Sequence, residues 1–231
     1  MRGGKRGRRC GAGLVIALAL GAACGTAALG TVGMLLWPRW PAAAASTDAP
    51  TLPITIAGVG FNVPPAAIRF PPQRRPGEQP RLDLAFRWPQ LTPPEAAGNK
   101  PAPSLDSEPI DQVFISIASP QGALPLGERV RTIYPRYMAP AGFLSPEGLS
   151  GVSFRDGTPY QGEDLLFDTD RAERFLVRCT RPVGAIPGTC LMERQVERAE
   201  LTVRFPRAWL VDWPHLADRL EHLLQRLQQR S

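Results

Sequence analysis

An α+β architecture is predicted: an N-terminal transmembrane helix, then an antiparallel-rich β domain closed by a C-terminal amphipathic helix. Three observations predict it. Residues 10–38 carry no charged side chain. Downstream, short segments alternate apolar and polar residues with period two, as strands do when one face meets a core and the other meets water. From Asp212 onward, leucines recur at intervals of four, three and four, the stripe of a helix.

Taken in order, residues 1–10 form a basic segment with Arg2, Lys5, Arg6, Arg8 and Arg9 and no acidic residue. Residues 11–37 are long enough to cross a bilayer, for which about 20 apolar residues suffice at roughly 1.5 Å each. Trp37 and Trp40 stand where an aromatic belt would lie, and of the basic residues near the span only Arg39 follows it. That bias orients the N-terminus to the cytoplasm and the remainder outside, which in a bacterium is the periplasm. The segment PAAAAS at 41–46 offers small residues to a signal peptidase, so cleavage there is the alternative to a retained anchor. The apolar run exceeds the usual signal core of about 7–15 residues, which favours retention. GAACG at 21–25 fits a small-xxx-small helix contact and suggests weak self-association through the span.

Residues 38–50 read as a linker, and the exported domain occupies 51–231. LPITIAGVGFNV opens it as a strand pair or a bulged strand, with Ile54 and Ile56 in phase and glycines at the bend. Residues 64–80 hold six prolines and read as an ordered loop or sheet edge, because proline cannot donate to a ladder. RLDLAFRW at 81–88 is the clearest strand, placing Leu82, Leu84, Phe86 and Trp88 on one face. Residues 89–109 lack periodicity and read as an exposed loop. Val113, Ile115 and Ile117 mark a buried strand, and a further strand is expected around Arg129 to Tyr134. Residues 138–162 are dense in Gly, Pro and Ser and receive no assignment. Phe175, Val177 and Cys179, then TCLMERQV, a turn near Glu197 and RAELTVRF form a meander. The last helix presents Leu216, Leu220, Leu223 and Leu227, with Asp212 as its N-cap and Pro214 in its first turn.

The net charge of +6 suggests phosphate binding until the charges are placed. Six of the 27 basic residues precede residue 40, and no acidic residue occurs before Asp48; the remainder is balanced. A domain of zero net charge has no bulk electrostatic attraction to nucleic acid, so no nucleic-acid partner is expected.

No nucleophile elbow, zinc-protease pair, phosphate loop or dinucleotide loop occurs, and neither a cofactor nor a catalytic residue is expected. His215 and His222 lie seven apart on the terminal helix, a spacing that separates their rings by about 10 Å; a metal pair favours three or four. They are expected on its polar boundary with Arg219 and Arg226. Glu163, Asp164, Asp168, Asp170 and Glu173 lack the glycine-centred spacing of a calcium loop and read as solvated charges. No metal site is expected.

RCTRPVGAIPGTC at 178–190 contains two of the four cysteines. Ten intervening residues do not suit a redox pair, whereas an oxidising compartment favours a structural bond between strand ends. Cys179 and Cys190 are therefore expected to form a disulfide across a Pro/Gly turn, contributing about 3 kcal/mol in the chain-entropy model.

The blocks ITIAGVGFNVPPAAIRF, RLDLAFRWPQLTPP and GTCLMERQVERAELTVRFPRAWLVDW resemble an uncharacterised group of single-pass, envelope-located proteobacterial proteins. The resemblance implies an inner-membrane anchor and an exported domain, and carries no assigned activity. The expected role is a membrane-anchored periplasmic interaction or accessory module that contacts another envelope protein. Phe70, Trp88 and Tyr160 are candidate exposed aromatics. The alternatives are an immunity or inhibitor protein against an exported toxin, and an envelope hydrolase. The hydrolase needs carboxylates converging in a cleft, or His215 or His222 beside Asp164 or Asp168.

Overall fold

The computed structural model describes residues 10–36, 49–94 and 111–228. It divides into two compact units, Met1–Ala42 and Ala43–Ser231. The expectations placed on the basic residues 2–9, on Trp37, Arg39 and Trp40, on the cleavage segment 41–46 and on residues 95–110 lie outside the described residues.

The first unit contains helix α1, Cys10–Leu36. Ile16 and residues 18–32 of α1 are exposed. Among the described residues, no helix is long and apolar enough to cross a membrane.

The second unit is α+β. Strands β1 (Leu52–Ile56) and β2 (Val59–Val63) form an antiparallel hairpin, and β3 (Gly77–Glu78) lies parallel to β1. The hairpin turns at Ala57 and Gly58, both at positive φ, so the opening segment is a strand pair. The proline-rich stretch before β3 holds two single 3-10 turns, Pro65–Ala67 and Pro71–Gln73, where proline's fixed φ suits the first positions.

An eight-stranded sheet is built from β4 (Arg81–Arg87), β5 (Gln112–Ala118), β6 (Met138–Leu144), β7 (Ser150–Phe154), β8 (Glu163–Phe167), β9 (Leu176–Thr180), β10 (Thr189–Val196) and β11 (Ala199–Pro206). Its order is β4-β5-β11-β10-β9-β8-β7-β6, and every neighbouring pair is antiparallel. β6 and β7 occupy the stretch that sequence periodicity left unassigned. β6 is an edge strand with an irregular register between Met138 and Gly142. It is largely exposed, so no hydrophobic face marks it in the sequence.

Alternation along the strands divides the apolar residues between two faces. On the inner face, Leu84, Ile115, Val177 and Val203 share a core with Ile54 and Phe61 of the small sheet and with helix α3 (Trp213–Leu227). α3 buries Leu216, Leu220, Leu223 and Leu227, as the sequence predicts. Its first turn departs from expectation. Asp212 holds the N-cap position but makes no side-chain cap bond; its carboxylate pairs instead with His215 Nδ1 at 3.2 Å.

The outer face carries a second cluster of Tyr134, Phe154 and Leu165. The segment covering it corrects the strand expected around Arg129 to Tyr134. That segment begins as the short helix α2 (Leu126–Glu128), continues as a single π-helical turn, Arg129–Ile133, and ends in a 3-10 turn, Tyr134–Arg136. Alternation of Val130, Thr132 and Tyr134 imitates a strand. The side chains that pack, Leu126, Val130, Ile133 and Tyr137, recur instead at helical spacing.

Candidate functional site

Cys179 and Cys190 form the expected disulfide, with an S–S distance of 2.01 Å. They are opposite partners on β9 and β10, and both are fully buried. Beyond the bond, residues 182–187 are exposed and form a narrow hairpin tip. Val183 N–H donates to Ile186 O at 3.2 Å and Ile186 N–H donates back to Val183 O at 3.0 Å, leaving Gly184 and Ala185 as a two-residue turn. Gly184 has φ 58°, which a two-residue turn of this kind demands.

The base of this hairpin is held from several directions. Arg181 N–H donates to Gly162 O and Arg207 N–H to Gly188 O, both at 2.8 Å. Gly188 is needed there, since a Cβ would sit 2.5 Å from Thr180 O. Below, the buried Asp164 accepts from Arg207 Nη1 at 2.8 Å and Ser153 Oγ at 2.8 Å, with Arg181 Nη1 at 3.4 Å.

These contacts correct the reading of the acidic stretch as solvated charge. Asp164 and Asp168 are buried, while Asp170 and Glu173 are exposed. Asp168 accepts the backbone N–H of Asp170. Glu163 is half-buried 3.2 Å from Arg178, and burial raises its carboxyl pKa against the opposing pull of that guanidinium. Among the described residues no group of three His, Cys, Asp or Glu is placed to hold a metal ion.

The structure does not bring the histidines to these carboxylates. His215 and His222 are exposed on α3. His215 contacts Asp212, receives a bond from Arg219 Nε at 2.9 Å and lies against the Trp88 ring. His222 borders a shallow depression with Gln225 and Arg226.

Of the three aromatics expected at the surface, only Phe70 is exposed. Trp88 stacks on Trp209 with ring centroids 5.1 Å apart, and Tyr160 packs among Tyr134, Phe154 and Tyr137 in the second cluster. Each found a ring partner from a distant part of the chain, which local periodicity does not reveal.

A concave site of about 450 Å³ opens on the outer face between residues 120–129 and strands β10 and β11. Leu124 and Leu126 form its apolar wall; Glu193, Glu200 and Thr202 line it from the strands. Arg129 crosses it, donating to Glu193 Oε1 at 2.9 Å, to the Tyr134 hydroxyl at 3.2 Å and to Leu124 O at 3.0 Å. Burial opposes the Arg129 charge, but Glu193 more than offsets this and holds the guanidinium pKa above its usual value. The lining has no histidine, cysteine or serine; its carboxylates are Glu193 and Glu200. Its mixed wall and polar floor suit recognition.

The fold therefore defines an α+β domain in which a helix and a small sheet cover one face of a long antiparallel sheet, with a disulfide-stapled hairpin and a cleft as its distinctive surfaces. The chain matches no family model and no curated protein sequence. Among solved structures it is similar to an immunity protein of the Stenotrophomonas maltophilia type IV secretion system. The TM-score is 0.54 at 11% identity, over 78% of this chain and 94% of that one. It is also similar to the iron-regulated outer membrane lipoprotein FrpD of Neisseria meningitidis, with a TM-score of 0.44 at 12% identity, over 79% and 92% of the two chains. At these identities the likeness concerns the fold alone.

Proposed function

We propose that the protein is a membrane-anchored envelope binding protein of the immunity type, which captures an exported effector in the periplasm and performs no catalysis. The observation that carries this reading is the fold shared with an immunity protein of a type IV secretion system across nearly the whole of that chain. A buried disulfide supports an oxidising compartment. The histidine route of the hydrolase alternative loses support, because His215 and His222 lie exposed on α3, away from Asp164, Asp168 and the cleft.

The anchor in this reading is residues 11–37, which include most of α1, with the N-terminus cytoplasmic and the domain periplasmic. Its support is the uncharged run from 10 to 38 and the five basic residues before it. The small residues at 21–25 allow weak self-association of the anchor.

Growth protection tests the proposal. The product of the gene adjacent to this one is directed to the periplasm, with and without the full chain. Relief of growth arrest only when the chain is exported supports the reading. A product that arrests growth equally with and without the exported chain contradicts it.

A further inference from the structure

The hairpin between Cys179 and Cys190 has a property that stapling alone does not require: its tip is apolar and points to water. Val183 and Ile186 are each 71% exposed, on a chain whose neighbouring strands bury nearly every branched aliphatic side chain they place on the inner face. A loop that serves only to connect β9 to β10 gains nothing from two β-branched residues there; polar turn residues would do. The exposed pair is also held rigidly. The disulfide closes the base, Pro182 and Pro187 fix φ on both sides of the tip, and the reciprocal Val183–Ile186 hydrogen bonds set the turn. Arg207 ties the hairpin to the start of the α3 approach through Gly188 O and Asp164.

A loop ordered before it meets a partner loses little conformational entropy on binding, and disulfides and prolines are the usual means of achieving this. We infer that residues 181–188 are a preformed docking finger that inserts Val183 and Ile186 into an apolar, acid-rimmed cavity of the captured effector. The inference rests on the immunity-type reading above and names its contact surface.

Charge selects the rim. Residues 178–190 contain Arg178, which pairs with Glu163, and Arg181, and no carboxylate. At the finger's base Arg181 and Arg207 share the single carboxylate of Asp164, which leaves one positive charge in excess. A complementary cavity presents carboxylates around an apolar floor. Besides the exposed Leu144 and Val211, the outer-face cleft competes as a surface on this domain. It is concave, and its Arg129–Glu193 pair is already satisfied internally.

The test uses the full chain in detergent micelles and the product of the adjacent gene as the probe, with affinity read by titration. Replacing the tip with β-branched polar residues, Val183→Thr with Ile186→Thr, keeps β-propensity and the disulfide, so folding is preserved. The expected result is affinity weaker by on the order of 100-fold, while Leu124→Thr at the cleft stays within about threefold of wild type. Unchanged affinity in the double variant overturns the finger and leaves the immunity reading standing. A wild-type chain that forms no complex brings down both.

The bilayer is the other apolar surface a finger could enter. A nitrobenzoxadiazole probe at Val183→Cys, in a chain with Cys10→Ala and Cys24→Ala, reports this in phosphatidylethanolamine–phosphatidylglycerol vesicles. Its emission is expected to remain that of a water-exposed dye until the probe protein is added. A blue shift from vesicles alone overturns the inference in favour of membrane insertion.

Discussion

Cys179 and Cys190 gain their energetic role from register: they face each other across β9 and β10, eleven residues apart in sequence. Closing that loop restricts the unfolded chain, so Cys179→Ala with Cys190→Ala is expected to cost about 2–4 kcal/mol, read as a lower urea midpoint. Other single residues set the response to pH. Burial disfavours the Asp83 carboxylate, but hydrogen bonds from Arg81, Gln73 and Ser116 outweigh it and leave its pKa below the ordinary 3.8. A lowered folded pKa means stability that is present above 3.8 and lost as pH falls through the folded value. Asp83→Asn should therefore be less stable than wild type at pH 7, with the gap closing in acid. Glu163 has the opposite sign. Its pKa is raised from 4.5 by burial, so the contribution is full below that value and is lost as pH rises through the folded pKa. Glu163→Gln should equal or exceed wild-type stability at pH 7 and lose that advantage near pH 4, as denaturation series at the two pH values would show. The disulfide pairing was legible from spacing and compartment. The arginine pair on Asp164 was not, because Ser153, Arg181 and Arg207 reach it from 11, 17 and 43 residues away.

Among the elements, those with a strong one-sided pattern were the ones the sequence revealed. β4, β5, β10, β11 and α3 each bury a face of period two or of helical spacing, and each is found where the pattern put it. The misses at β6 and at 126–136 have a different cause. β6 is an exposed edge with no buried face, and the 126–136 segment changes helical type twice within eleven residues, so neither shows one sustained period. Tertiary contacts settle such elements, and Tyr134 is the main one for the second. It is fully buried, stands edge-on to Phe154 at 5.3 Å and accepts a bond from Arg129. Tyr134→Ala is expected to remove about 3–5 kcal/mol and to speed hydrogen exchange across 126–137 more than in β11. Equal protection in the two regions would mean that the segment is held by something other than this cluster.

At the scale of the molecule, the sheet, helix and disulfide make an α+β domain whose distinctive surfaces are a hairpin tip and a cleft. The hairpin had been visible in the sequence only as the staple beneath it. Its outward apolar tip became evident once exposure was known, because sequence marks Val183 and Ile186 as apolar but not as unburied. If the domain lies outside, as proposed, Cys179 and Cys190 are expected to stay oxidised in the cell, and the denatured, non-reduced domain should show no reactive thiol. The central claim is capture of an exported effector, and direct titration of the full chain against the product of the adjacent gene tests it most directly. The account predicts a stoichiometric complex, with affinity in the nanomolar range typical of dedicated inhibitors, on the order of −12 kcal/mol. Absence of any complex, with the domain folded and its disulfide formed, would contradict it.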